Sequence, residues 1–479
     1  MAKQSAAPAQ TPPGPPGYLF FTEQEAMRNQ LPLYTNVFAR YGDFVKLDGL
    51  PGISWYLVAR PSAIEHILVT HQNRYRKPDV FNKTLRLLVG NGLIVNEGES
   101  WLSQRRLMQP AFHKERLANL AKSMIDSTKQ LIEQWQQLED GGEIDIAAEM
   151  SNLTLTIAGK TLFGLDLSDK AEMFGASLRQ ALSHVSKKMN NPFTFPEWLP
   201  TEENKQFKNA RNNLFQVVDE IIAHRRKAAG DRGDLLSMLM AAQDEASGAQ
   251  MSDAQLRDEV ITLLVAGHDT VAATLAWVYF LLGSNPAAQI RLQTELQTEL
   301  QSELQTEVQD VRVERETQFA PEQCGQVSLA DLPKLTYTRA VIDEALRLYP
   351  PAWGQPREAI EDDQIDGYFV PKGRIIAVSQ YLAQRHPDHW NQPLDFHPER
   401  FLAGDSLAKE RPKFAYFPFG GGSRMCIGNN FAMMEAQIVV ALISQSFTLD
   451  LISNQDIQPD PTFTLRPDRP VQVKLQKRK

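Results

Sequence analysis

The sequence predicts a mainly α-helical protein with small β-sheets, and three observations carry that reading. Apolar residues recur at three- and four-residue spacing over most of the stretch from Pro61 to Gly283. Strand-like runs rich in aromatic and β-branched residues are confined to residues 44–58 and to the last third of the chain. The 479 residues are 42% hydrophobic and 23% charged, with 27 Gly and 29 Pro, the profile of a globular chain and not of a disordered or collagen-like one. A chain of this size buries about three quarters of its unfolded surface, so its core needs no covalent staples.

Residues 1–12 are small and polar, without an apolar run, and read as a flexible terminus that is neither a signal peptide nor a membrane anchor. Pro12 to Gly17 cannot continue a helix and form a stiff entry segment. Phe44, Val45 and Leu47 precede a turn at Pro51-Gly52, and Trp55 to Val58 follow it, a short strand pair. The helical pattern then covers Ser62 to Thr70, Trp101 to Met124, Ile125 to Leu138, Ile144 to Phe163 and Asn204 to Ala229. Ser252 has the chemistry of a helix cap and opens a long central helix that ends near Gly283. Its apolar stretch is broken by Gly267, His268, Asp269 and Thr270. A membrane span needs about 20 largely apolar residues, so a buried helix is the reading here. Residues 292–309 run LQTELQTELQSELQTEVQ, with Leu292, Leu296, Leu300 and Leu304 on one stripe and glutamates on another, which predicts a solvated helix extension. Residues 310–328 lose periodicity and read as a surface loop carrying Cys324. Further strands are predicted near 364–379 and 463–475.

The formal net charge is −8, from 50 Lys+Arg against 58 Asp+Glu, which gives nucleic-acid binding little support. Cys324 and Cys426 are the only cysteines. That excludes a disulfide framework and any zinc site of several thiolates, and it suits a reducing, cytoplasmic setting.

The segment that carries chemistry is Phe419-Gly-Gly-Gly-Ser-Arg-Met-Cys-Ile-Gly428. Phe419, Gly422, Arg424, Cys426 and Gly428 stand at fixed offsets, and a chance match in this composition is on the order of 10⁻⁵. Glycines let the backbone approach a flat cofactor closely. Cys426 lies just before a predicted helix running through Ala432, Glu435 and Ile438, whose positive terminus would favour a thiolate. A lone cysteine is more often a small buried hydrophobe, but the flanking glycines and Arg424 argue otherwise. The segment resembles the haem-ligand loop of the cytochromes P-450.

That resemblance covers about residues 13 to 476 and implies one P-450 domain over 13–479, with 292–328 as an appended helix and loop. It implies haem b (iron protoporphyrin IX) ligated by Cys426, with Phe419 and Gly428 shaping the loop. Trp101 and Arg105 resemble the family's propionate-binding pair, and Arg424 and Arg357 would supply further cations. The family often has histidine where Gln384 stands. Glu344 and Arg347, followed by Pro398-Glu399-Arg400-Phe401, resemble the family's buried Glu–Arg–Arg cluster, a structural element behind the haem. Ala266-Gly267-His268-Asp269-Thr270 resembles its oxygen-activation motif. There Ala266 and Gly267 leave room over the ring, Thr270 disturbs the helix ladder and binds water or oxygen, and Asp269 feeds protons. Val271 replaces a hydroxyl residue common in the family, and His268 is expected to point away from the iron.

The implied activity is a haem-thiolate monooxygenase inserting one atom of O2 into an apolar substrate, a lipid, terpenoid or aromatic. Phe81 to Leu88, read as a loop, Ala266, Ala352-Trp353 and Phe463-Thr464 are the substrate-facing candidates. No reductase domain is expected after the last strand, so electrons would come from a separate ferredoxin or flavodoxin. Arg105, Arg106, Lys114 and Arg116 could form its basic dock, although ordinary solvated charges fit them equally. A peroxide-driven peroxygenase or isomerase and a non-catalytic haem sensor stand as alternatives.

Overall fold

The computed structural model describes residues 10–19, 29–164, 168–190, 194–227, 234–243, 248, 250–310, 327–405, 408–453 and 455–478. The main helices are α1 Gln30–Tyr41, α2 Asp79–Val89, α3 Gly98–Met108, α4 Lys114–Gln136, α5 Ile146–Phe163, α6 Ser168–Asn190, α7 Glu202–Lys227, α8 Asp253–Ser284, α9 Pro286–Asp310, α10 Thr336–Leu348 and α11 Asn429–Ser446. Strands β1 Phe44–Leu50, β2 Ile53–Val58, β3 Tyr75–Arg76, β5 Gln355–Ala359 and β6 Ile375–Val378 form a five-stranded sheet in the order β1-β2-β6-β5-β3. Among the described residues only β2 and β6 run parallel in it, Trp55 opposite Ile375 and Val58 opposite Val378. A second sheet, β4 Glu143–Asp145, β8 Gln472–Lys477 and β7 Phe447–Leu451, is antiparallel. The mainly helical architecture is the one the sequence predicts.

Two apolar clusters organise the molecule. The larger collects the helices around α8 and α11, and the smaller lies against the five-stranded sheet. The segment carrying Cys426 passes from one to the other: Phe414 and Phe417 belong to the sheet cluster, while Ile427 and Phe431 pack in the helical one. Hydrophobic burial on both sides therefore fixes the loop's ends. Ser252 caps α8 as expected, its hydroxyl accepting from Gln255 N–H at 3.2 Å. This helix is long and apolar enough to cross a membrane, but 72% of its most apolar window is buried inside the fold.

Several expectations need correction. Residues 81–88 are not a loop but part of α2. The predicted Trp101–Met124 helix breaks at Pro110, which lies in the 3₁₀ turn Gln109–Phe112, and resumes as α4. Helices α1 and α6 lie outside the segments in which the sequence analysis placed helices. Gln10 pairs with Tyr368 as an isolated bridge, so the chain is anchored from residue 10. The repeat is not simply solvated. Leu292 and Leu296 are buried in the core, and Glu295 accepts from the Tyr337 and Thr338 N–H groups at 2.5 and 2.8 Å, capping the start of α10. The predicted loop with Cys324 lies mostly outside the described residues.

Candidate active site

The cysteine segment is held like a staple. Cys426 N–H donates to Phe419 O at 2.9 Å, closing the loop on itself. Ser423 donates through its N–H and hydroxyl to Gln72 Oε1 at 3.0 and 2.7 Å. Gly422 has φ +66°, and a Cβ there would lie 1.8 Å from Leu68 O, so only glycine fits. Helix α11 begins three residues after Cys426. Burial pushes the Cys426 thiol up, outweighing the Gly428 N–H and the Arg105 charge that pull it down. Yet the side chain has accessible surface. A deep setting and an accessible sulfur together mean that it opens onto internal space.

Four cations converge on this place with one carboxylate between them. Arg424 stacks on the Trp101 ring, its guanidinium carbon 3.7 Å from the centroid. It donates to Glu97 Oε2 at 2.6 Å and Asn96 O at 2.9 Å. Arg357 is buried, donates to Pro356 O and Gln355 Oε1, and is pushed down to about 10 by burial and by the Arg424 charge. Burial, Arg424 and Arg357 push the Lys77 ammonium down to about 7, and it donates to Ile94 O. Arg105 is depressed by burial and feels the Cys426 sulfur. The Gln355 Nε2 donor is buried with no partner among the described residues. An excess of buried positive charge with an idle donor is costly alone. It fits a cofactor bearing two acids, as haem does.

The central helix presents its open side nearby. Val265, Val271 and Ala272 are buried, but Leu263, Ala266, Gly267 and Thr270, which recur at helical spacing, retain accessible surface. A Cβ on Gly267 would meet nothing within 4 Å. Thr270 donates to Ala266 O at 2.6 Å. His268 points the other way, as expected: its Nδ1 lies 2.9 Å from Thr154 Oγ1 on α5, and burial holds the imidazole well below its usual range. Asp269 accepts from Thr464 at 2.5 Å.

Behind the loop, Arg347 donates to Glu344, Gln384 O, Pro393 O and Asp395 O, and Arg400 Nε reaches Glu344 at 3.3 Å. Gln384, at the family's histidine position, donates to Leu346 O and Arg347 O and accepts from Phe417 N–H, linking this cluster to the cysteine segment.

The substrate candidates divide. Phe81 and Phe463 are half-buried against the helical core, and Ala352 is exposed. Leu88 is fully buried and turns no surface to a ligand. Trp353 packs instead in the sheet cluster, its ring 6.2 Å from that of Tyr34. Of the proposed basic dock, Arg106 and Arg116 are exposed, Arg105 turns inward, and the Lys114 side chain lies outside the described set. Sequence reasoning missed Lys77, Glu97 and Gln355. Lys77 and Glu97 meet partners from other segments, and Gln355 is set beside Arg357 in a strand with no pattern that marks it.

Comparison with known proteins agrees with this geometry. The family model "Cytochrome P450" matches residues 12–475. The chain is 36% identical to cyclooctat-9-en-7-ol 5-monooxygenase of Streptomyces melanosporofaciens, over 85% of this chain and 83% of that protein. It is 30% identical to pentalenene oxygenase of Streptomyces avermitilis, over 94% of each. Among solved structures, the haem domain of cytochrome P450DA superposes with a TM-score of 0.83 at 25% identity, covering 99% of both chains. The retinoic-acid-bound cyanobacterial CYP120A1 shares the fold, with a TM-score of 0.81 at 24% identity over 98% of this chain and all of that one. This chain belongs to the cytochrome P450 family, and it is a haem-thiolate monooxygenase.

Proposed function

We propose that the chain binds haem b through Cys426 and inserts one atom of O2 into a terpenoid, by hydroxylation or epoxidation. Electrons come from a separate ferredoxin- or flavodoxin-type protein. The observation that carries the reading is an inward-opening cysteine, set in an uncompensated cation cluster, on a chain whose central helix keeps an open stripe. When bound, the haem supplies the iron centre where oxygen is reduced, and a thiolate ligand enriches that iron in electron density. The chain's own residues do the rest. Arg105, Arg357, Arg424 and Lys77 would hold the propionates, with Trp101 steadying Arg424. Ala266 and Gly267 leave space for a flat ring. Thr270, bonded to Ala266 O, loosens the helix ladder there and holds a water. Asp269 brings protons to that water.

The terpenoid class is supported by the names of two relatives that cover most of this chain, cyclooctat-9-en-7-ol 5-monooxygenase and pentalenene oxygenase. Ala266, Phe81, Ala352 and Phe463 would border the substrate, and exposed Arg106 and Arg116 would face the acidic donor. In this reading residues 13–479 form one haem-enclosing unit working in the cytoplasm.

The test is spectral. Haem-loaded protein should give a ferrous carbonyl adduct with the red-shifted Soret band of sulfur ligation, which Cys426→Ser abolishes. Cyclic di- and sesquiterpenes should shift the ferric spin state, and NADPH with a ferredoxin and its reductase should turn over the best of them. Turnover with peroxide alone, and none with the reducing system, would overturn the monooxygenase reading.

A further inference from the structure

We propose that Thr464 is a positioning residue for proton delivery, holding Asp269 in the orientation the reaction uses and tying that acid to the segment bearing Phe463. The inference rests on the functional reading above. Asp269 and Thr464 are 195 residues apart in sequence, yet the Thr464 hydroxyl donates to Asp269 Oδ2 at 2.5 Å. Among the described residues no other hydrogen bond or ion pair reaches this carboxylate. Its orientation therefore depends on one donor. Oδ1 is left for water, on a residue directly before Thr270.

The donor is itself fixed. Thr464 is 4% exposed, and its neighbours are tied to three separate elements. Thr462 O accepts from Ser186 on α6 at 2.5 Å. Leu465 N–H donates to Pro351 O at 3.0 Å, and Leu465 O accepts from Trp277 Nε1, on the central helix, at 3.0 Å. Such a segment cannot drift without breaking bonds to α6, the stretch after α10 and α8 itself. It aims a hydroxyl at Asp269 with little conformational freedom, which is what a preorganised relay needs. Phe463, half-buried between these anchors, is the side chain a bound substrate would press. Displacement there would act on the Asp269 tether one residue away.

The consequence is a partition. With Oδ2 held, Oδ1 takes a proton from hydronium supplied by the solvent, which leaves as water, and passes it to a water beside Thr270, ending as carboxylate again. Without the tether Asp269 rotates, protons arrive late, and reducing equivalents leave as hydrogen peroxide instead of product.

The experiment compares wild type, Thr464→Val, Thr464→Ser and Asp269→Asn as holoenzymes. Each is driven by NADPH, a plant-type ferredoxin and its reductase, with the cyclic terpene that gives the largest spin shift. Thr464→Val removes the hydroxyl while nearly keeping the side-chain shape, and its spin-shift midpoint, measured alongside turnover at saturating terpene, separates weakened substrate binding from slowed proton delivery. The substitution should lower product formation about tenfold, as expected for loss of a hydrogen bond to a charged group. Peroxide per NADPH and the solvent deuterium isotope effect should both rise toward the Asp269→Asn values. Thr464→Ser should restore both, and Thr464→Val should add nothing in the Asp269→Asn background. Unchanged peroxide partition in Thr464→Val, failure of serine to rescue, or additivity with Asp269→Asn would overturn the proposal. A wild-type protein without the sulfur-ligated carbonyl band would overturn the functional reading instead.

Discussion

Arg347 grips Glu344 with two hydrogen bonds of 2.7 and 2.8 Å, and neither side chain has any accessible surface. The pair is not self-sufficient. Arg347 also gathers three backbone carbonyls from residues 384–395, while Glu344 accepts from His397 N–H at 2.9 Å. The cluster therefore cross-links a helix to the long irregular stretch that leads to the cysteine loop.

Removing one partner leaves the other charge buried and unpaired. Arg347→Ala should cost about 3–5 kcal/mol, and Arg347→Lys should fall between it and wild type, because an ammonium cannot make the planar fork. Chemical unfolding of the haem-free proteins measures this. A midpoint unchanged in Arg347→Ala would mean the cluster carries no stability.

Lys77 gives a prediction about cofactor loading. Burial and two arginines push its ammonium down to about 7, so in the haem-free protein it is largely neutral above that pH. Propionate charge would favour the ammonium again, and haem binding at pH 8 should therefore take up protons. Lys77→Met should release haem to apomyoglobin about tenfold faster than wild type, the loss of one charge-assisted contact. Proton uptake in weakly buffered solution should shrink in the same variant.

Glu259 predicts a pH dependence of stability. It is fully buried on the central helix, accepts from Leu93 N–H at 2.9 Å, and leaves Oε1 without a partner among the described residues. Burial pushes its carboxyl up to about 7 from 4.5. The folded chain thus keeps a proton that the unfolded chain gives up near pH 4.5. The stabilisation is complete below pH 4.5, declines between 4.5 and 7, and is gone above 7. The full window is worth at most about 3 kcal/mol. Glu259→Gln should lose this component and be more stable than wild type at pH 8. Equal pH slopes for the two proteins in urea unfolding between pH 5 and 8 would exclude it.

How much of this was legible follows from how local each signal is. The Cys426 segment, the Gly267–Thr270 break and the Glu344–Arg347 pair each fit within one or a few turns, so a resemblance to family motifs can reach them, although the Glu344–Arg347 spacing alone is weak. Lys77 stands before Pro78 at a helix start, where lysine normally reads as a solvated charge; only the fold brings Arg357 beside it. Glu295 looked like one more glutamate in a polar repeat, yet it meets the open N–H groups of α10. Ala352 and Trp353 are one candidate segment in the sequence, but Trp353 packs against the sheet cluster, and packing across a sheet is not encoded by adjacency.

Gly267 separates the two demands made on the central helix. Glycine inside a helix costs roughly 0.5–1 kcal/mol relative to alanine, and here no packing requires it, since a Cβ would meet no atom within 4 Å. In the haem-free protein, Gly267→Ala should therefore raise the unfolding midpoint by about that amount. If the open space belongs to the cofactor and its ligands, the same methyl should crowd the loaded site and weaken the terpene-induced spin shift while the carbonyl band keeps its position. The two effects oppose each other, and no purely structural role produces both. A variant stabilised equally with and without haem, with an unaltered spin-shift titration, would show that this side of the helix faces something other than the reaction space.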